Sequence, residues 1–230
     1  LHGAGASVDA TSNGEDTPLH LACSNGHLDV AQWLHSAGAS VDATDEDEDT
    51  PLHSACSHGH LHVAQWLHGA GASLDATDDH GWTPLHLACR EGHLDVAQWL
   101  HSAGALVDAT DNEEDTPLHI ACTNGHLNVA QWLHGVGASL DATDNEETTP
   151  LHKACGLGHL HVAQWLHGAG ASLDATDNHG WTPLPIACAN GHLNVAQWLH
   201  GAGAFVDSTD LSGGTPLHLI CSNGLLDVAQ

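Results

Sequence analysis

The tripeptide Thr-Pro-Leu begins at Thr17, Thr50, Thr83, Thr116, Thr149, Thr182 and Thr215, and every interval is 33 residues with no insertion. A strict period of that length argues against one continuous globular core and for a stack of near-identical units. One unit, Thr17 to Asp49, reads TPLHLACSNGHLDVAQWLHSAGASVDATDEDED. Thr17 suits an N-cap, and Pro18 suits the first helical position, where its missing N–H costs nothing. Leu19, Ala22 and Cys23 follow on one helical face. Gly26 can take the left-handed conformation that stops this short helix. A second helix is predicted from about Leu28 to Ala37, with Leu28, Val30, Ala31 and Leu34 as its apolar stripe and Gly38 as its end. The polar segment from Ala39 to Asp49 reads as an extended, hairpin-like connection. Neither helix is long enough to stand alone, so each unit must bury its apolar face against the next.

On this reading residues 1–16 are a partial repeat, full units begin at 17, 50, 83, 116, 149 and 182, and 215–230 is a second partial repeat; 1–230 forms a single array. Six units carry TPLH, with His20, His53, His86, His119, His152 and His218, and one has Pro185 instead. A Gly-His turn appears at Gly26-His27 and in five further units, Leu225 replacing the histidine in the last. A Gly-Ala step follows the second helix at Gly38-Ala39 and onward. With these features the whole chain resembles the ankyrin-repeat family. The resemblance implies an all-α repeat solenoid of helix-turn-helix units joined by β-hairpin-like loops. It also implies a scaffold that binds a protein or peptide on a concave face made by the loop tips and the first helices.

Three departures from that family stand out. The second helix ends in Trp33-Leu34-His35 and its copies rather than in an aliphatic run. The tip glycine survives at Gly81, Gly180 and Gly213 but is replaced by Glu15, Glu48, Glu114 and Glu147; those tips are expected to be looser, because a side chain disfavours positive φ. Both ends fall inside a second helix with no capping repeat, so the array is expected to continue beyond Leu1 and Gln230.

Charge narrows the partners. Two cations, Arg90 and Lys153, face 29 carboxylates, a formal charge of −27. Nucleic acids and anionic membranes need clustered Lys and Arg, so the expected partner is basic. No apolar run approaches the roughly 20 residues of a membrane-spanning helix. The seven cysteines fall once per repeat on the inner face of the first helix, one repeat apart and beyond disulfide reach. They read as core packing in a reducing compartment, cytoplasmic or nuclear.

The histidines form three ladders. In the family it resembles, the TPLH histidine has a hydrogen-bonding role, and the Gly-His histidine reads as a bridge between repeats. The third ladder (His2, His35, His68, His101, His134, His167 and His200) sits near the end of the second helix as a partly exposed polar group. Cys23 and His27 recur as a pair, but two ligands per unit cannot close a tetrahedral zinc site. No metal or other cofactor is expected. No unit carries a unique nucleophile with its base, and no phosphate-cradling loop is present, so no catalytic residues are assigned.

What remains is variation between units at the tips and first helices. Asp47, Asp49, His58, Trp82, Arg90, Glu91, Asp115, Lys153 and Trp181 are the candidate partner-binding residues. The acidic tips would steer a basic partner, and Trp82 and Trp181 would anchor it. The expected function is a monomeric protein-interaction scaffold, not an enzyme. Two alternatives remain open at this point: an element responding to divalent metal or protons, and a passive spacer within a larger protein.

Overall fold

A computed structural model describes residues 7–224; Leu1, His2, Leu225 and Gln230 lie outside the described residues. Those described form thirteen α-helices and no strand. The chain groups into two compact units. The first, Leu1–Asn112, holds α1 (Pro18–Ser24), α2 (Leu28–Ser36), α3 (Pro51–Ser57), α4 (Leu61–Gly69), α5 (Pro84–Glu91) and α6 (Leu94–Ala103). The second, Glu113–Gln230, holds α7 (Pro117–Thr123), α8 (Leu127–Gly135), α9 (Pro150–Gly156), α10 (Leu160–Gly168), α11 (Pro183–Ala189), α12 (Leu193–Gly201) and α13 (Pro216–Ser222). Within each unit a first helix packs on its own second helix and on the first helix of the next repeat. Each unit has its core on leucines of the first helices, Leu19, Leu52 and Leu85 in the first unit, Leu118 and Leu151 in the second, all fully buried.

The TPLH histidine explains how a seven-residue helix holds. The Thr17 N–H donates to His20 Nδ1 at 3.1 Å, and His20 Nε2 lies 3.0 Å from the Asp49 carbonyl of the following tip. With Nδ1 accepting, Nε2 is the nitrogen that donates to that carbonyl. His20 forms a capping box with histidine in the place usually held by Glu or Gln. His53 repeats the arrangement to Trp82, and His152 to Trp181. Burial lowers the pKa of His53, His119 and His152, that of His119 to about 4. In α11 Pro185 stands at the third helical position, whose N–H has no intrahelical acceptor. The helix forms, but Thr182 has no side-chain cap bond.

The Gly-His turn locks neighbouring repeats together. Gly26 has φ +72°, and a Cβ there would lie 2.7 Å from His60 Nδ1 of the next repeat. His60 Nε2 in turn sits 3.0 Å from the Ser24 carbonyl. His93, His159 and His192 do the same one repeat on from Ser57, Thr123 and Gly156. The third ladder packs edge-on against the tryptophan of the following second helix. His35 meets Trp66 at 5.9 Å, and His68, His134 and His167 meet Trp99, Trp165 and Trp198 at 6.0 Å. That pairing accounts for the Trp-Leu-His ending: the ring and the imidazole are complementary surfaces of successive repeats.

The expectation of looser glutamate tips is corrected. Glu15, Glu48, Glu114 and Glu147 adopt φ of 59° to 63°, the left-handed region that Gly81, Gly180 and Gly213 occupy. The tip closes the same way in both: Glu48 N–H to the Asp45 carbonyl at 3.2 Å, Gly81 N–H to the Asp78 carbonyl at 3.0 Å. The glutamates accept a strain of about 1–2 kcal/mol because the residue three earlier, Asp45, Asp111 or Asp144 and in the first tip Ser12, holds the turn. No helix among the described residues is long and apolar enough to cross a membrane.

Candidate interaction site at the turn tips

From the second tip on, one aspartate recurs at the turn, with Ser12 in its place at the first. Asp45 Oδ1 accepts the Asp47 and Asp49 N–H groups at 3.0 Å each, and Asp78 Oδ1 accepts those of His80 and Trp82 at 2.9 and 2.7 Å. Asp144, Asp177 and Asp210 do the same in the second unit. Successive tips are tied by a backbone bond, Asp79 N–H to the Asp47 carbonyl at 3.0 Å and Asn145 N–H to that of Glu113 at 2.9 Å. Side chains at the turn are therefore presented on a hydrogen-bonded frame.

In the first unit Asp47, Asp49, Asp78, His80, Trp82, Leu87 and Arg90 line one cavity of about 340 Å³. Four of the candidate residues, Asp47, Asp49, Trp82 and Arg90, meet here. The Trp82 indole N–H donates to Asp111 Oδ2 at 2.6 Å, and the Arg90 guanidinium carbon lies 5.0 Å above the ring. Such a cation over an indole is worth roughly 0.5–1 kcal/mol at an exposed site. Arg90 also faces Glu91 at 3.5 Å. Asp49 sits deeper. Its Oδ1 is buried with no hydrogen-bond partner, and the nearest titratable nitrogen, His53 Nδ1 at 4.0 Å, already accepts the Thr50 N–H. Burial, reinforced by Asp45, Asp78, Asp47 and Asp79, pushes its carboxyl up to about 7.

Asp115 and Lys153 meet in the second unit. The Lys153 ammonium lies 3.2 Å from Asp115 and 2.6 Å from Asp144 Oδ2, whose other oxygen holds the turn. The Thr148 hydroxyl donates to the same Oδ2 at 2.5 Å. Burial raises the Asp144 carboxyl, but Lys153 and Thr148 outweigh it and hold the pKa below the ordinary value. Burial likewise pulls Lys153 down, and the two carboxylates outweigh that, so its pKa stands above the usual lysine value. The chain's only lysine is thus paired within the second unit.

The remaining candidates stand apart. His58 is exposed at the end of α3, with Nδ1 2.9 Å from the Ser54 carbonyl and its ring stacked 6.3 Å from His60. Glu91 is exposed beside Arg90. Trp181 is half-buried at its tip, and its indole N–H makes no bond like that of Trp82. Reading variation between units missed Asp78 and Asp144, because an aspartate recurs there in every tip but the first and passes for turn scaffolding. It missed His80 and Leu87 as ordinary tip and core residues. The one available signal was that Leu87 and Lys153 occupy the same place in their repeats.

Metal and thiol chemistry have little support from this geometry. Asp78, Asp79 and His80 bring three potential ligand atoms within 4.8 Å of one another. Asp79 and His80 are exposed and paired with each other, and Asp78 holds its turn. Six cysteines are buried and unbridged, and Cys221 is exposed. Burial pushes the Cys23 thiol up to about 12 and the Cys188 thiol to about 11, and raises Cys56, Cys89, Cys122 and Cys155 as well. These are packing groups, not nucleophiles.

Comparison with known proteins gives a consistent picture. The family model for ankyrin repeats in three copies matches at residues 1–78, 19–111, 62–144, 101–177 and 118–210. Among solved structures, the ankyrin repeat domain of human ASB11 is similar, with 27% sequence identity and a TM-score of 0.80 over 94% of this chain and 98% of that one. No curated protein matches.

Proposed function

Since the chain belongs to the ankyrin-repeat family, whose repeats serve generally as protein-interaction modules, we propose that it is a scaffold for a basic protein or peptide. The partner would lie along the turn tips and first helices, the face that is concave in the family. The observation that carries this reading is the cavity of the first unit, where three aspartates and a tryptophan converge. Acidic groups steer a basic chain and set its register, and an aromatic wall supplies contact area at little entropic cost. A net charge of −27 adds long-range attraction for the same partners.

The test is binding of a labelled lysine-rich peptide at two ionic strengths. Asp47→Asn with Asp49→Asn and Asp78→Asn is compared with a control of equal charge, Asp29→Asn with Asp42→Asn and Asp75→Asn, all three exposed elsewhere. The scaffold reading requires the first triple to weaken binding roughly tenfold or more and to flatten its salt dependence, the control far less. Equal losses in both would leave only diffuse attraction and remove this face as the binding surface.

A further inference from the structure

Lys153 and Leu87 hold the same place in their repeats, two repeats apart, and so do the acids around them: Asp115 corresponds to Asp49, and Asp144 to Asp78. In the second unit an ammonium on a four-carbon stem joins the two carboxylates, at 3.2 and 2.6 Å. In the first unit the same two carboxylates are present, but the residue that reaches them in the second unit is a leucine, and a cavity of about 340 Å³ lies among them. We propose that the cavity bounded by Asp49, Asp78, Trp82 and Leu87 is a binding site for the primary ammonium of a lysine side chain supplied by a partner.

Three further observations point to that occupant. Asp49 Oδ1 is buried and makes no hydrogen bond, which costs free energy that a donor would recover. Its strongest electrostatic neighbours are all acids, so the site is short of positive charge. The one cation on its wall, Arg90, lies over the Trp82 ring and beside Glu91. A lysine stem fits the remaining wall, because its methylenes can lie on Leu87 and the indole while the ammonium reaches the carboxylates. An ammonium is a point charge able to bridge two acids, as Lys153 does, whereas a guanidinium demands one planar fork. The acids that pair at Asp16 and Asp45, across from Ser54, lack this wall, and Asp16 Oδ2 already accepts the Ser12 hydroxyl.

This inference rests on the scaffold reading and names which partner residue the first unit takes. The experiment uses n-butylammonium chloride as the probe, in EDTA, with tetramethylammonium chloride at equal ionic strength as the control. The Trp82 indole N–H resonance and the titration of the Asp49 carboxyl are followed by NMR. Butylammonium should shift the indole signal saturably and lower the Asp49 midpoint from about 7, with tetramethylammonium doing neither. Asp49→Asn or Asp78→Asn should weaken the response roughly tenfold or more. Leu87→Lys should abolish it by filling the site from within, while Leu87→Ile, the residue at this place in two other repeats (Ile120 and Ile186), should keep it and certify folding. An equal response to both salts, or one that survives in Leu87→Lys, would overturn the assignment. Peptide binding without a butylammonium response would sink this site alone and leave the scaffold reading standing. A butylammonium response without peptide binding would do the opposite.

Discussion

The Asp49–Asp78 pair and the Asp115–Asp144 pair are built on the same backbone frame and differ in what faces them. Beside Asp115 and Asp144 stands Lys153, whose ammonium lies within ion-pair distance of both acids. Beside Asp49 and Asp78 stands Leu87, and the acids border a cavity with an indole on its wall. The contrast shows how a repeat protein makes a site. Duplication has left the same pair of acids in both places, and a single substitution at the position opposite decides whether they are spent internally or left for a ligand. Electrostatics follows that substitution, since the pKa of Asp144 falls below the ordinary value and that of Asp49 rises to about 7.

The largest expected effect comes from making the closed pair resemble the open one. Lys153→Leu strands two acids whose side chains are 13% and 3% exposed, and stability at pH 7 should fall by about 3 kcal/mol in chemical denaturation. Asp144 has a lowered folded pKa, so its contribution is present above the unfolded carboxylate value and lost as pH falls through the folded one. The deficit should therefore shrink below about pH 4. A loss under about 1 kcal/mol at pH 7 would mean solvent already replaces the lysine.

Relieving the open pair is the next step down. The folded pKa of Asp49 is raised, so the stability owed to its protonated form is complete below 3.8 and lost as pH rises through about 7. Asp49→Asn should gain about 1–2 kcal/mol at pH 8, after allowing for solvent screening, and almost nothing near pH 4.5. Denaturation curves at the two pH values separate this from a general charge effect, which would appear at both.

The tryptophans sharpen the comparison between units. Trp82→Phe keeps the ring but removes the 2.6 Å bond to buried Asp111, with an expected cost of about 1–2 kcal/mol. Trp181→Phe removes no such bond and should cost clearly less; equal costs would place the value of both rings in packing. The smallest effect is expected at the irregular repeat. Pro185→His restores the cap to Thr182 and should raise stability by about 1 kcal/mol, read as a shift in denaturation midpoint without change in slope.

How far the sequence could be read varied with the range of the interaction. Capping by Thr17 and His20 acts over three residues, and the helices, their stops and their stacking followed from spacing alone. Comparing units position by position also marked Asp49, Trp82, Arg90, Asp115 and Lys153 as unusual. It treated them as one surface, whereas Lys153 reaches back 38 residues to Asp115 and Trp82 forward 29 to Asp111. Contacts across that distance depend on how far each repeat is rotated and shifted on its neighbour, which no local pattern encodes. The glutamate tips were misread for a related reason: local φ preference was judged without the residue three earlier that holds the turn.

By itself the sequence determined the repeat, its helices and the histidine ladders that brace them, because those depend on short-range sterics and hydrogen bonding copied from unit to unit. Tertiary structure alone decided which acids are satisfied and which are left open. Two carboxylates from successive tips and one side chain from a helix must meet in space before their charges can add or cancel, and only the stacking of repeats brings them within reach.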